Sequence, residues 1–125
     1  AVYADFANKV RQTKHALLTL LMDLKGQGKT IVGYGAPAKG NTLLNFCGVG
    51  RDILDFTVDR SPHKQGRFLP GTRLPILAPE AIFEAKPDYV LILPWNLKDE
   101  IQEQMAGIRD WGGKFIVPIP EATIL

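Results

Sequence analysis

Short β-rich runs alternate with helical patterns along this chain, and that alternation limits the fold more than any other feature. Thr30 to Tyr34 reads as a strand, Gly35 to Gly40 as a turn, and Asn41 to Cys47 as a helix with Leu43, Leu44 and Phe46 inward. Ile53 to Val58 is predicted as a second strand closed by Asp59, followed by a polar loop from Arg60 to Arg73. Leu74 to Leu77 is a short extended piece. Pro79 opens a short helix over 79–85, because the first turn of a helix accepts proline. Asp88 to Leu93 is nearly all apolar and is predicted as a strand buried on both faces. Pro94-Trp95-Asn96 breaks that strand. A helix over 98–109 carries Ile101, Met105 and Ile108 on one face, and Lys114 to Val117 forms the last predicted strand. Ahead of all this, Val2, Phe6, Val10, Leu17, Leu21 and Leu24 recur at helical spacing, and Gly26 and Gly28 supply the stop.

This order predicts an α/β fold: a Rossmann-like parallel sheet of about four to five strands, helices on both faces, and a long N-terminal helix before it. The chain has 125 residues, the size of one domain, so residues 1–125 are expected to form a single unit, with the amphipathic helix 1–26 packing on it. It opens on Ala1 rather than Met, as a domain cut from a longer protein does and as a processed N-terminus also does. Fifteen Lys and Arg against 13 Asp and Glu leave a net charge of +2, too little to argue for nucleic acid as a partner. Cys47 is the only cysteine, which excludes an internal disulfide and, with only His15 and His63 beside it, argues against a zinc site. No apolar run approaches the roughly 20 residues that cross a bilayer, and no signal-peptide pattern is present. A reducing cytoplasm is therefore the expected compartment, with no membrane partner.

Ligands of open parallel sheets bind beyond the carboxyl ends of the strands. Four segments reach that edge here: Gly33–Gly40, Asp59–Arg67, Pro94–Asn96 and Pro118–Pro120. In the first, Gly35, Ala36, Pro37, Ala38, Lys39 and Gly40 join a strand to a helix. Its free amides and partial positive charge suit an anion, and Lys39 adds a full charge. A phosphate or diphosphate is the expected guest, although glycine-rich turns also arise for packing alone. The turn lacks the dinucleotide fingerprint, because Ala38 stands where the third glycine belongs, and it is no Walker loop, because Lys39 precedes Gly40. Asp59, at the end of the second strand, either holds a ribose hydroxyl or caps its own turn. Arg60, His63, Lys64 and Arg67 form a basic loop that either contacts phosphates or is ordinary solvated surface. Trp95 offers a stacking face and Asn96 a donor and acceptor. The plainer alternatives are packing on the N-terminal helix for Trp95 and capping of the next helix for Asn96. No paired carboxylates, nucleophile–base couple or metal cluster stands out, so no catalytic or metal-binding residue is assigned.

With these segments in view, the chain resembles the C-terminal domain of the three-part, S-adenosylmethionine-dependent sugar C-methyltransferases. The resemblance rests on Gly-Tyr-Gly-Ala-Pro-Ala-Lys-Gly-Asn-Thr (33–42), Val-Asp-Arg-Ser-Pro-His-Lys-Gln-Gly-Arg (58–67), Leu-Pro-Gly-Thr-Arg-Leu-Pro-Ile (69–76), Leu-Pro-Trp-Asn (93–96) and Gly-Gly-Lys-Phe-Ile-Val-Pro-Ile-Pro (112–120). It implies an enzyme in which a zinc-binding domain and a central methyltransferase domain precede this one, and which methylates a carbon of a nucleotide-linked keto-deoxysugar. The methyl donor, the zinc and the catalytic bases would then belong to the other domains, and this stretch alone is expected neither to carry a cofactor nor to catalyse methyl transfer. Its partners would be the nucleotide-sugar substrate and its own catalytic domain. By position, Lys39 and the 35–40 backbone would face the diphosphate, Arg60, Lys64 and Arg67 would add phosphate contacts or line the domain interface, and Trp95 and Asn96 would lie near the sugar or base. The alternatives are a scaffold domain without a ligand and a divergent dinucleotide-binding domain.

Overall fold

The computed structural model describes the backbone of residues 2–125 and the side chains of residues 8–125. The helix α1 (Val2–Gly26) is followed by β1 (Ile31–Tyr34), α2 (Ala38–Cys47), β2 (Thr57–Val58), β3 (Ile76–Leu77), α3 (Glu80–Ala85), β4 (Tyr89–Ile92), α4 (Lys98–Gln104), β5 (Lys114–Val117) and β6 (Thr123–Ile124). One six-stranded sheet runs in the order β3-β2-β1-β4-β5-β6. Every neighbouring pair is parallel except β5 with β6. The chain builds outward from β1 to β2 and β3, then returns to place β4 on the other side of β1. That reversal opens a crevice between the loops after β1 and β4.

Alternation along the strands sorts the core into two layers. Ile31 and Leu91 face Leu17, Leu21 and Leu24 of α1 and Leu44 and Cys47 of α2. Val32, Tyr34, Val90 and Ile92 face Ile82 of α3 and Ile101 and Met105 of α4. A period-two chain with apolar residues at every position must be covered on both faces, and here helices cover both. The side chains of Val2 and Phe6 lie outside the described residues.

Four expectations change. The second strand is regular only at Thr57–Val58. Ile53 and Leu54 both donate to the Gly50 carbonyl (3.0 Å each), so that stretch is a turn whose apolar side chains still reach the core. Phe46 is not inward: it is 47% exposed and carries the Lys14 ammonium over its ring at 5.4 Å. The helix expected over 98–109 is two pieces, α4 and a 3₁₀ segment over Ala106–Trp111. The break falls at Met105, and within the second piece Gly107 lets Phe83 of α3 approach, since a methyl there would lie 2.8 Å from Cε1 of that ring. Finally, β6 was not foreseen. It is two residues long, too short for a period-two signal.

The 60–73 loop is also more ordered than its polarity suggests. Phe68 bridges Pro75 in antiparallel fashion, and Leu69 and Leu74 are buried. The Arg67 carbonyl accepts from Ile76 at 2.8 Å, so the loop folds back along β3 and covers that edge of the sheet.

Candidate functional site

The crevice beside β1 holds a cleft of about 280 Å3. Tyr34 and Gly35–Pro37 form its floor and one wall, Asp59, Arg60 and Lys64 another, and Pro94, Leu97, Glu100 and Gln104 close the far side. Three strand ends therefore converge on one place.

Asp59 organises the corner. Its Oδ2 accepts from the Ala36 amide (2.9 Å) and its Oδ1 from the Ser61 amide (2.8 Å). The second bond is the turn-capping arrangement. The first ties the loop after β2 to the turn after β1. Lys64 closes the same link from the other side, donating from Nζ to the Ala36 carbonyl at 3.1 Å. Gln65 adds a bond from its side-chain amide to the Asp59 carbonyl (2.8 Å). The cleft thus carries the cations Arg60 and Lys64 and the carboxylates Asp59 and Glu100.

The helix α2 begins at Ala38 with Pro37 as its N-cap, and no side chain caps it. Its first amides have no protein carboxylate or hydroxyl as a partner. The glycines of this turn serve packing. A methyl on Gly33 would lie 2.8 Å from Thr57 Oγ1, one on Gly35 2.6 Å from Pro94 Cδ, and one on Gly40 2.9 Å from Leu93 Cβ. Those spaces are filled by the protein itself. The residues therefore do not fit a glycine-walled cradle for S-adenosylmethionine. Among the described residues no three His, Cys, Asp or Glu side chains group as a metal would require, so this donor set does not fit zinc.

Of the residues singled out in the sequence, Gly35, Ala36, Pro37, Asp59, Arg60 and Lys64 line the cleft together. Lys39 and Trp95 meet each other instead, the ammonium 4.9 Å from the indole ring centroid. Such a pair contributes on the order of 0.5–1 kcal/mol at an exposed position. Trp95 packs there, on the α2 side of the corner. Asn96 is exposed and caps nothing, because Leu97 occupies the N-cap of α4. Asp99 and Glu100 in the first turn suit the helix dipole in its place. Ala38 is exposed and Gly40 buried; neither lines the cleft. Arg67 is held on the β3 edge by its main-chain bond, and His63 is exposed.

Sequence reasoning missed Tyr34 and Gln104, whose side chains join across the cleft: the phenol donates to Oε1 of Gln104 at 3.3 Å. The signal was available in the alternation of β1, which turns Tyr34 to the same face as Val32 at the last position of the strand. Burial pushes the Tyr34 phenol above its ordinary value of 10.0, Arg60 opposes that shift, and the Asp59 carboxylate adds to it. A phenol with a raised folded-state value stabilises the fold below pH 10, and that contribution disappears as pH rises through the folded value. The difference between wild-type and Tyr34→Phe absorbance at 295 nm is expected to show a midpoint above pH 10. A midpoint below 10 would contradict the burial argument.

A family model for the C-methyltransferase C-terminal domain matches residues 1–120. The chain belongs to that family. A curated relative, the C-methyltransferase NovU of Streptomyces niveus, is 41% identical over 123 residues, covering 98% of this chain and 29% of NovU. This family member thus spans less than a third of that relative's length. Among solved structures, the UDP-D-quinovosamine 4-dehydrogenase of Vibrio fischeri superposes with a TM-score of 0.52 at 22% identity, over 74% of this chain and 79% of that one. At that identity the likeness speaks to the fold alone, and the fold is Rossmann-like. Among the described residues no helix is long and apolar enough to cross a membrane.

Proposed function

We propose that this domain holds the diphosphate part of a nucleotide-linked sugar for a C-methyltransferase whose catalytic centre lies elsewhere in the full-length enzyme. The observation that carries the reading is the convergence of Arg60 and Lys64 on one cleft at the reversal point of the sheet. A guanidinium and an ammonium group on one cleft favour an anion over a neutral ligand. Lys39, two residues beyond the cleft wall, adds to the local positive field. Residues 1–125 act here as one unit packed on a catalytic domain. S-adenosylmethionine and zinc belong to the rest of that enzyme, and its place is the cytoplasm.

A second reading has its own support. The turn's glycines are filled by Thr57, Leu93 and Pro94, as a scaffold domain would need with or without a ligand. Amide-shift mapping with a dTDP-linked sugar, NAD and S-adenosylmethionine separates these readings. Shifts confined to 34–38, 59–65 and 94–104 with the sugar nucleotide support the holding role. Silence with every ligand supports the scaffold, and a response to NAD alone supports a divergent dinucleotide site. In the full-length enzyme, Lys64→Ala is expected to raise KM about tenfold while changing kcat less than about twofold, because a ground-state phosphate contact is lost. A large loss of kcat at constant KM contradicts the holding role.

A further inference from the structure

The opposite edge of the sheet carries a patch that the cleft beside β1 does not use. A hollow of about 550 Å3 lies there between the loop after α2 and the tip of the 68–75 hairpin, with Arg51, Phe68 and Arg73 on its walls. Thr57 pairs with Ile76 in parallel register, so the residues just before β2 and β3, Asp55 and Arg73 among them, come to the amino edge together. The cleft beside β1 opens at the carboxyl edge, at the other end of the strands.

The hairpin tip is braced. The Asn45 side-chain amide of α2 donates to the Pro70 carbonyl at 3.1 Å, and the Leu69 and Arg73 amides donate to the Leu74 and Leu69 carbonyls at 2.9 Å each. On this frame Phe68 is 61% exposed. Arg73 stands at φ +59°, a left-handed position that favours glycine, and presents an exposed side chain there. The guanidinium groups of Arg11 and Arg109 donate to neighbouring oxygens, whereas those of Arg51 and Arg73 find no acceptor among the described residues. The nearby carboxylates are idle as well. Asp52 and Asp55 are exposed, and unlike Asp23, Asp59 and Asp88 they accept no hydrogen bond among the described residues.

Arginine and exposed aromatic side chains on a rigid frame are what the centres of protein interfaces are made of. Charge decides the partner. An acidic segment would satisfy Arg51 and Arg73 but meet Asp52 and Asp55 as like charges, and a basic segment would do the reverse. A second copy of the same patch, turned about a two-fold axis, offers each sign its opposite and brings the two Phe68 rings to the same side of the contact. We infer that this amino-edge patch is a two-fold contact between two copies of this protein. The braced hairpin loses little freedom on association, and the contact leaves the carboxyl-edge cleft of each copy open.

Sedimentation velocity of the full-length protein tests this. The patch is small, so a reversible dimer with a dissociation constant on the order of 10 μM is expected. Phe68→Ser is expected to weaken it about tenfold or more, because the central aromatic is lost. Two charge variants are the sharper probe. Arg51→Glu with Arg73→Glu makes the patch acidic throughout, and Asp52→Arg with Asp55→Arg makes it basic throughout. All four side chains are exposed, so the circular dichroism of both variants is expected to match wild type. Each variant alone is expected to be monomeric, and an equal mixture of the two is expected to form dimers again, because the signs then match across the axis. A wild-type protein that stays monomeric well above the expected dissociation constant overturns the contact. So does a dimer that Phe68→Ser and both charge variants leave intact, or a mixture that stays monomeric.

Discussion

Gly35→Ala is expected to destabilise the protein by about 3 kcal/mol or more, seen as a lower urea midpoint at unchanged slope. Two costs combine. Gly35 sits at φ +96°, where a side chain carries strain on the order of 1–3 kcal/mol. The new methyl would also lie 2.6 Å from Cδ of Pro94, and overpacking of this kind costs about 1–3 kcal/mol more. Gly112→Ala supplies the control. Its φ is +82° and nothing lies within 4 Å of the added methyl, so it bears the strain without the collision. If the two variants lose equal stability, the contact between the β1 turn and Pro94 carries no weight and the packing account of this corner fails.

Asp59→Ala is expected to cost about 2–3 kcal/mol, because hydrogen bonds to a charged acceptor contribute about 1.5–3 kcal/mol and two amides lose their partner at once. The same variant should lose the amide-shift response of residues 34–38 to a sugar nucleotide, since the link between the two loops goes with it. Asp59→Asn is the sharper probe. An amide has one oxygen, so it can serve either Ala36 or Ser61, and its NH2 group then faces the other amide donor. We expect Asp59→Asn to recover no more than about half of the loss. Full recovery by Asp59→Asn would show that one of the two bonds is idle.

The layered α/β architecture was legible because its signals are local. Apolar runs at 30–34, 88–93 and 114–117 are strands wherever a sheet covers both faces, and prolines and glycines punctuate them. Short elements escaped for a physical reason: β6 and the regular part of β2 are two residues each, and pairing rather than sequence defines them. The break after Gln104 falls at Met105, a good helix former, so no local residue announces it. The candidate site was legible in part. Gly35, Asp59 and the basic loop mark the edge of the sheet at which the cleft lies. Sequence spacing cannot show that Lys39 turns to Trp95 while Lys64 crosses to Ala36. Nor can it show that Arg67 is carried to the β3 edge by a main-chain bond.

The reversal in strand order sets a timetable for synthesis. The turn at 33–40 leaves the ribosome well before Leu93 and Pro94, the groups that fill the hollows beside its glycines. A nascent chain that ends before β4 has the glycine turn and the basic loop but lacks the wedge that gives the turn its shape. The corner is therefore completed only when a late segment arrives, and cutting or permuting the chain between Gly40 and Leu93 would separate the two halves of one joint.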